Sequence, residues 1–258
     1  VKLISPSGGE SHPFHLDRVF DSNSDQLEVY NYFGPSLVKD VLNGYNGTVF
    51  AYGQSGSGKT YTMYGDDIYD DNIKGFIPRL VTDIFDYAEN TEENVTFQIK
   101  MSFLQIYKEV IYDLLTGENN LKIKENPLRG IFVEKLTEVC ISSLPDFMYY
   151  VEIGNQNRYV SETKLNTYSS RSHSILILEI SQTLNSDNYS KSGKLNLVDL
   201  AGSEKVSKSG AIGETLEEAK KINWSLSALG NVIHALTTNA DHIPYRDSKL
   251  TRILQESL

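Results

Sequence analysis

The sequence predicts one α/β domain spanning residues 1–258. Three observations carry that expectation. At residues 48–60 the stretch TVFAYGQSGSGKT runs from an apolar segment through a Gly-rich loop into the helix-compatible YTMY. Strand-like stretches at residues 97–103, 174–180 and 195–200 alternate with stretches whose apolar residues recur at helical spacing. Finally, the chain shows no internal repeat, low-complexity tract or linker that would divide it.

Taken in order, residues 1–4 read as a short strand, SPSGGE as a turn, and residues 14–17 as a second short strand. From Gln26 to Leu42 the residues Val29, Tyr30, Phe33, Leu37, Val38, Val41 and Leu42 recur at helical spacing. Gly34-Pro35 is expected to kink or divide that helix, because proline removes a donor and crowds the preceding turn. NGYNG at 43–47 is a turn that leads into the strand at 48–52. The acidic loop GDDIYDDNIKG is expected to be exposed, and residues 77–88 form an amphipathic helix with Pro78 in its first turn.

Phe97, Ile99, Met101 and Phe103 alternate with polar residues as in a half-buried strand, extended by residues 104–107. Residues 121–124 and 130–133 read as minor strands, and Ser143, Pro145 and Asp146 open a helix to about Ile153. NTYSSRSH at 166–173 is a polar loop before the strand at 174–180. Residues 185–192 form a turn region, and the strand at 195–200 ends in DLAGSE. A long helix carries Leu216, Ala219, Ile222, Leu226, Leu229, Ile233 and Leu236 on one stripe. Asp247 or Ser248 caps a last helix that runs to the end of the chain.

The Gly-rich loop carries the chemistry. Gly53 to Thr60 fit G-x-x-x-x-G-K-[ST] without a mismatch, directly after a strand. Glycines let several backbone N–H groups converge on an anion without a Cβ in the way. Lys59 supplies a mobile charge for the β- and γ-phosphates, and the Thr60 hydroxyl suits a Mg²⁺ ligand. A flexible Gly/Ser turn would not need this spacing, so the stretch predicts a nucleoside triphosphate site.

Composition bounds the partners. The single cysteine, Cys140, excludes an intramolecular disulfide and suits a reducing compartment. No apolar run approaches the ~18 residues of a membrane span, and the N-terminus has no basic-then-apolar signal. A net charge of −10 argues against a generic nucleic-acid binder. Yet residues 205–252 hold seven basic residues (Lys205, Lys208, Lys220, Lys221, Arg246, Lys249, Arg252) against five acidic ones. A basic segment on an acidic chain fits either a solvated face or a localised acidic partner.

Further residues complete a phosphate-sensing set. Asp199 ends a hydrophobic strand, as suits a residue of the Mg²⁺ shell. Gly202 lets a backbone N–H approach a terminal phosphate, and Ser169 and Ser170 offer hydroxyls. Arg171 and Glu204 have the charges for an ion pair that closes over the attacking water. In this order after the phosphate loop they form a pair of candidate γ-phosphate switches.

GYNGTVFAYGQSGSGKT, NTYSSRSH, LVDLAGSE and HIPYRDSKLTRIL together resemble the kinesin motor domain, over nearly the whole chain from about Phe14 to Leu258. KVSKSGAIGETLEEAKKIN with SLSALGNVI is similar to the conventional, cargo-carrying branch. Myosin switches would lack SSRSH and DLAGSE, and a small GTPase would carry an N-K-x-D motif that is missing here.

The resemblance implies a P-loop NTPase of the kinesin type, a mixed central sheet with helices on both faces. It implies microtubule-stimulated ATP hydrolysis with Mg²⁺, coupled to movement, in the cytoplasm on the microtubule cytoskeleton; the alternative is a kinesin-like module that binds or regulates microtubules without processive motility. Carried over by motif, Gln54, Ser55, Gly56, Ser57, Gly58, Lys59 and Thr60 bind the phosphates, with Thr60 and Ser170 near Mg²⁺ and Asp199 in its outer shell. Gly202 senses the γ-phosphate, Arg171 and Glu204 gate the water, Asn223 supports the closed state, and Tyr61 flanks the adenine. Lys205, Lys208, Tyr245, Arg246 and Lys249 face tubulin.

Nucleic acid and membrane insertion are not implied, and dimerisation would use segments outside these residues. The sequence departs from the family where Trp224 stands in KINWSL in place of a frequent lysine. It departs again at Glu134 and Val139, in a segment that is often basic. The family's first strand with its R-x-R-P, its last strand and helix, and the neck have no counterpart in the sequence. Residues 48–52 are therefore expected to have a strand neighbour on one side only, at 195–200, leaving the 258-residue chain poorly soluble or weakly folded by itself.

Overall fold

A computed structural model describes residues 2–3, 12–92, 94–127, 130–164, 171–184, 189–204 and 214–258. The chain opens with β1 (Lys2–Leu3) and β2 (His12–Pro13), paired antiparallel. The short strand expected at 14–17 lies instead at His12–Pro13, because pairing to β1 fixes its position.

Helix α1 (Gln26–Leu42) is capped by Asp25, whose side chain accepts from the Glu28 N–H. It runs unbroken through Pro35, which corrects the expectation of a divided helix. The turns on either side are held by burial of Tyr30, Val38, Val41 and Leu42. Gly34 admits the Tyr30 ring, which would stand 2.3 Å from a Cβ placed there. Packing therefore offsets the lost hydrogen bond.

Strand β3 (Gly47–Ala51), helix α2 (Lys59–Tyr64) and helix α3 (Phe76–Glu89) follow. The main sheet then gains β4 (Val95–Tyr107) and β5 (Val110–Asp113). A separate hairpin is formed by β6 (Lys122–Asn126) and β7 (Gly130–Glu134), and β8 (Val139–Ile141) returns to β4. Helix α4 (Leu144–Lys164) precedes β9 (His173–Leu184) and β10 (Tyr189–Asp199). Helix α5 (Glu214–Thr237), a 3-10 turn at Tyr245–Asp247 and α6 (Lys249–Ile253) complete the chain. Ser248 caps α6 by accepting from the Thr251 N–H, and that helix ends at Ile253 short of the terminus.

The sheet order is β3-β10-β9-β4-β5, with β8 beside β4. It is mixed: β3 and β10 are parallel, and every other pairing is antiparallel. Side chains alternate across it with the strand period. Ile99, Met101, Phe103, Leu176, Leu178, Ile180, Leu195 and Leu197 face α1, α3 and α4 in one core. Leu104, Ile106, Ile175, Val198 and Leu200 face Leu229 of α5 and Leu250, Ile253 and Leu254 of α6 in the other. Burying such side chains supplies about 1.5–3 kcal/mol each.

On α5 the inward face is Ile222, Ser225, Ala228, Leu229, Val232 and Ala235. Ile233, placed on the apolar stripe from sequence, is 44% exposed instead. Among the described residues β3 pairs with β10 alone and stands at the edge of the sheet.

Candidate functional site

The parallel pair sets the site. Asp199 at the end of β10 lies abreast of Ala51 at the end of β3, so both strands deliver their C-terminal ends to one crevice. The ladder continues past them: the Leu200 N–H donates to the Ala51 carbonyl at 3.2 Å, and the Ser203 N–H to the Gly53 carbonyl at 3.1 Å. Two backbone hydrogen bonds thus tie the DLAGSE turn to the phosphate loop.

Within the loop, Gly56 and Gly58 adopt φ of +75° and +88°, which a side chain would strain. A Cβ at either position would meet no atom of the described residues within 4 Å, so the loop leaves its backbone room to approach an anion. Lys59 is buried and its Nζ donates to the Gln54 carbonyl at 3.0 Å, which keeps the ammonium inside the loop. Ser55, Ser57 and Thr60 bring hydroxyls to the same loop. Tyr61 is 45% exposed, and its carbonyl accepts from Gln26 at 2.7 Å, pinning α2 to the start of α1.

Asp199 is the hub. Its Oδ2 accepts from the Thr60 hydroxyl at 2.7 Å and from Arg158 at 2.9 Å. Its Oδ1 is buried and, among the described residues, meets no hydrogen-bond donor. A buried carboxylate oxygen beside a threonine hydroxyl suits the water shell of a hard divalent cation such as Mg²⁺. Among the described residues no cluster of three or more His, Cys, Asp or Glu forms a metal cage. Phosphate oxygens and water would have to complete the coordination, as Mg²⁺ commonly requires.

Sequence reasoning missed Arg158. It lies on α4 beyond the expected helix end at Ile153, with a side chain 5% exposed, and it also donates to the Ser174 hydroxyl at 3.1 Å. Nothing in the pattern around Asn155, Gln156 and Asn157 marks it, because its role exists only through the distant Asp199.

Glu204 is engaged with the phosphate loop. Its carboxylate accepts from the Ser55 N–H at 2.9 Å and from the Ser55 hydroxyl at 2.6 Å. Burial pushes its carboxyl upward, but the Ser55 hydrogen bonds, its own N–H and the Lys59 charge outweigh that and hold it below the usual carboxylate range. A Cβ on Gly202 would stand 2.3 Å from the Glu204 carboxylate and 2.4 Å from the Ser55 hydroxyl, so a side chain there would displace the Glu204–Ser55 contact. Asn223 on α5 donates to the Glu204 carbonyl at 3.3 Å.

Of the expected track-facing residues, Tyr245 is half-buried and Arg246 is exposed, 3.5 Å from Glu125 of β6. Arg252 shares that carboxylate. The Lys249 N–H is held by Glu109 at 2.8 Å. Ser169, Ser170, Lys205 and Lys208 lie outside the described residues.

A Gly-rich loop between parallel strand and helix, with a lysine and threonine at its end and an aspartate abreast of it, defines a phosphate-loop nucleotide-binding protein. The sequence matches the kinesin motor domain family over residues 3–258. The chain belongs to that family.

It is 50% identical to kinesin-related protein 3 of Dictyostelium discoideum, over 99% of this chain and 22% of that protein. It is 51% identical to human kinesin-1 heavy chain over 96% of this chain and 26% of that one. The chain therefore spans about a quarter of the length of these curated relatives. A solved structure of a fast kinesin aligns with a TM-score of 0.91 at 50% identity, covering 96% of this chain and 70% of its own.

Proposed function

We propose that the chain is the ATP-hydrolysing unit of a microtubule motor. The observation that carries this reading is the Thr60–Asp199–Arg158 cluster beside the phosphate loop, with one buried Asp199 oxygen that meets no donor among the described residues. The motor reading draws on the family and on the fast-kinesin structure, whose description concerns ATPase mechanism and interactions with microtubules.

The loop from Gln54 to Thr60 holds the triphosphate, Lys59 exchanging the Gln54 carbonyl for β/γ-phosphate oxygens. Thr60 and Ser170 would hold Mg²⁺, with Asp199 in its outer shell, and the ion would neutralise charge at the phosphates. Gly202 offers its N–H to the γ-phosphate. Glu204 then releases Ser55 and pairs with Arg171, ordering the attacking water, while Asn223 keeps the closed turn against α5. Such a gate acts in the transition state rather than in binding. Tyr61 flanks the adenine.

Lys205, Lys208, Tyr245, Arg246 and Lys249 form the surface for acidic tubulin. The protein works in the cytoplasm on the microtubule cytoskeleton, with dimerisation supplied by segments outside these residues. Co-sedimentation with microtubules tests the track assignment. Binding should be tighter with a non-hydrolysable ATP analogue than with ADP and should weaken as salt rises. Binding indifferent to nucleotide would leave a microtubule-associated module in place of a motor.

A further inference from the structure

His173, the last residue of SSRSH and the first of β9, is buried at 2% exposure between three elements. Its Nδ1 accepts from the Ala201 N–H at 3.0 Å. Nδ1 therefore carries no proton, and the ring proton sits on Nε2. Nε2 lies 2.7 Å from the Ser225 hydroxyl of α5, which in turn donates to the Ile222 carbonyl at 2.7 Å. The three bonds have one consistent direction, from backbone amide through imidazole and hydroxyl to backbone carbonyl.

Both ends of this path matter to the site. Ala201 sits between Asp199 and the Gly202–Glu204 turn, which is bonded to Gly53 and Ser55 of the phosphate loop. Ser225 lies in the same turn of α5 as Asn223, bonded to Glu204, and Trp224, bonded to the Asp247 carbonyl at 3.0 Å. Successive helical residues point about 100° apart, so one turn of α5 touches three neighbours at once.

We propose that His173 is a positioning residue that couples the Ala201–Glu204 turn to helix α5, so that a displacement at the phosphate side moves the helix that holds the Asp247 loop. The inference rests on the reading of this site as a nucleotide switch. Its physical basis is burial. A moving Ala201 amide cannot exchange His173 for water, and a moving imidazole would leave the Ser225 hydroxyl without its donor. Desolvation, with the charge of Arg158 second, pushes the His173 pKa down to about 3, so the ring stays neutral and its tautomer fixed.

Trp224 is the chain's one tryptophan and sits beside Ser225, which makes its emission the readout. Any tryptophan in flanking sequence is replaced by phenylalanine. Each variant is read at a concentration of MgADP or a non-hydrolysable Mg·ATP analogue that saturates it. Wild-type emission should differ between the two nucleotides. Ser225→Ala should reduce that difference at least about fivefold, the lower end of common coupling strengths, while Ser225→Thr, which keeps the hydroxyl, should retain it.

A wild-type signal identical in both nucleotides, or an undiminished signal in Ser225→Ala, overturns the inference. Should Ser225→Ala fail to fold, ¹⁵N imidazole spectra of the wild type decide. A neutral Nε2–H tautomer from pH 7 to pH 5 supports the path, whereas an Nδ1–H tautomer or an imidazolium in that range overturns it. Microtubules and hydrolysis do not enter either readout. A failed ATPase would sink the motor reading alone, and saturated nucleotide binding without a Trp224 response would sink this inference alone.

Discussion

The Trp224 indole N–H donates to the Asp247 carbonyl at 3.0 Å, joining α5 to the 3-10 turn that precedes α6. The side chain that departs from the family pattern therefore fixes the HIPYRDSKL loop through a hydrogen bond. Trp224→Phe keeps a ring and loses the donor. Because the residue is 54% exposed, the cost should be about 0.5–1 kcal/mol, the low end for a hydrogen bond. Urea unfolding checks it, and an unchanged midpoint would mean that the bond does not hold the loop.

Arg158→Met removes the cation from a buried pair and leaves the Asp199 carboxylate uncompensated. The expected loss is about 3–5 kcal/mol of stability, with weaker Mg·nucleotide binding. Thermal unfolding and mantADP titration with and without Mg²⁺ measure both. A variant as stable as wild type would show that Asp199 does not depend on Arg158.

His173 gives the stability a pH signature. Its folded pKa of about 3 lies below the ordinary 6.5, so the unfolded chain takes up a proton that the folded chain refuses. Stability from this residue is complete above pH 6.5 and is lost as pH falls toward 3, by about 1.4 kcal/mol per unit below 6. Urea unfolding of wild type and His173→Gln at pH 7 and pH 5.5 should show the smaller pH loss in the variant. Equal losses would place the ring in water.

Glu204→Ala should leave ATP affinity close to wild type and lower turnover at least about 100-fold, if Glu204 acts only in the closed gate. The comparison is mantATP affinity beside steady-state turnover. Normal turnover with weakened binding would assign Glu204 to the phosphate loop through Ser55 alone.

The parts of this molecule that were legible in its sequence are those whose signal is local. The phosphate loop, the strand before it and Asp199 at the end of β10 each follow from spacing within one segment. What escaped detection depends on partners far along the chain. Strands β5 and β8 have four and three residues and exist because β4 offers both its flanks. The polar first half of β10, from Tyr189 to Lys194, has no apolar alternation and is held by its register with β9. Pro35 misled because packing on both sides of it carries α1 through. Arg158 and the His173–Ser225 bond are tertiary, so no window of sequence contains both partners.

The edge of β3 has a consequence for stability. Among the described residues its outer side faces no strand, and the phosphate loop hangs from it. An open edge beside a core invites aggregation. Adding a strand that pairs with this edge should raise the urea midpoint and lower light scattering. Equal midpoints would show that β3 needs no second neighbour.

The phosphate-loop site is expected to hydrolyse ATP in response to the track. Steady-state phosphate release, measured against rising microtubule concentration, is the deciding measurement. The prediction is a slow basal rate that rises at least about tenfold to saturation and is abolished in Lys59→Ala, which lacks the charge at the β/γ-phosphates. A rate indifferent to microtubules, or one that survives Lys59→Ala, would contradict it.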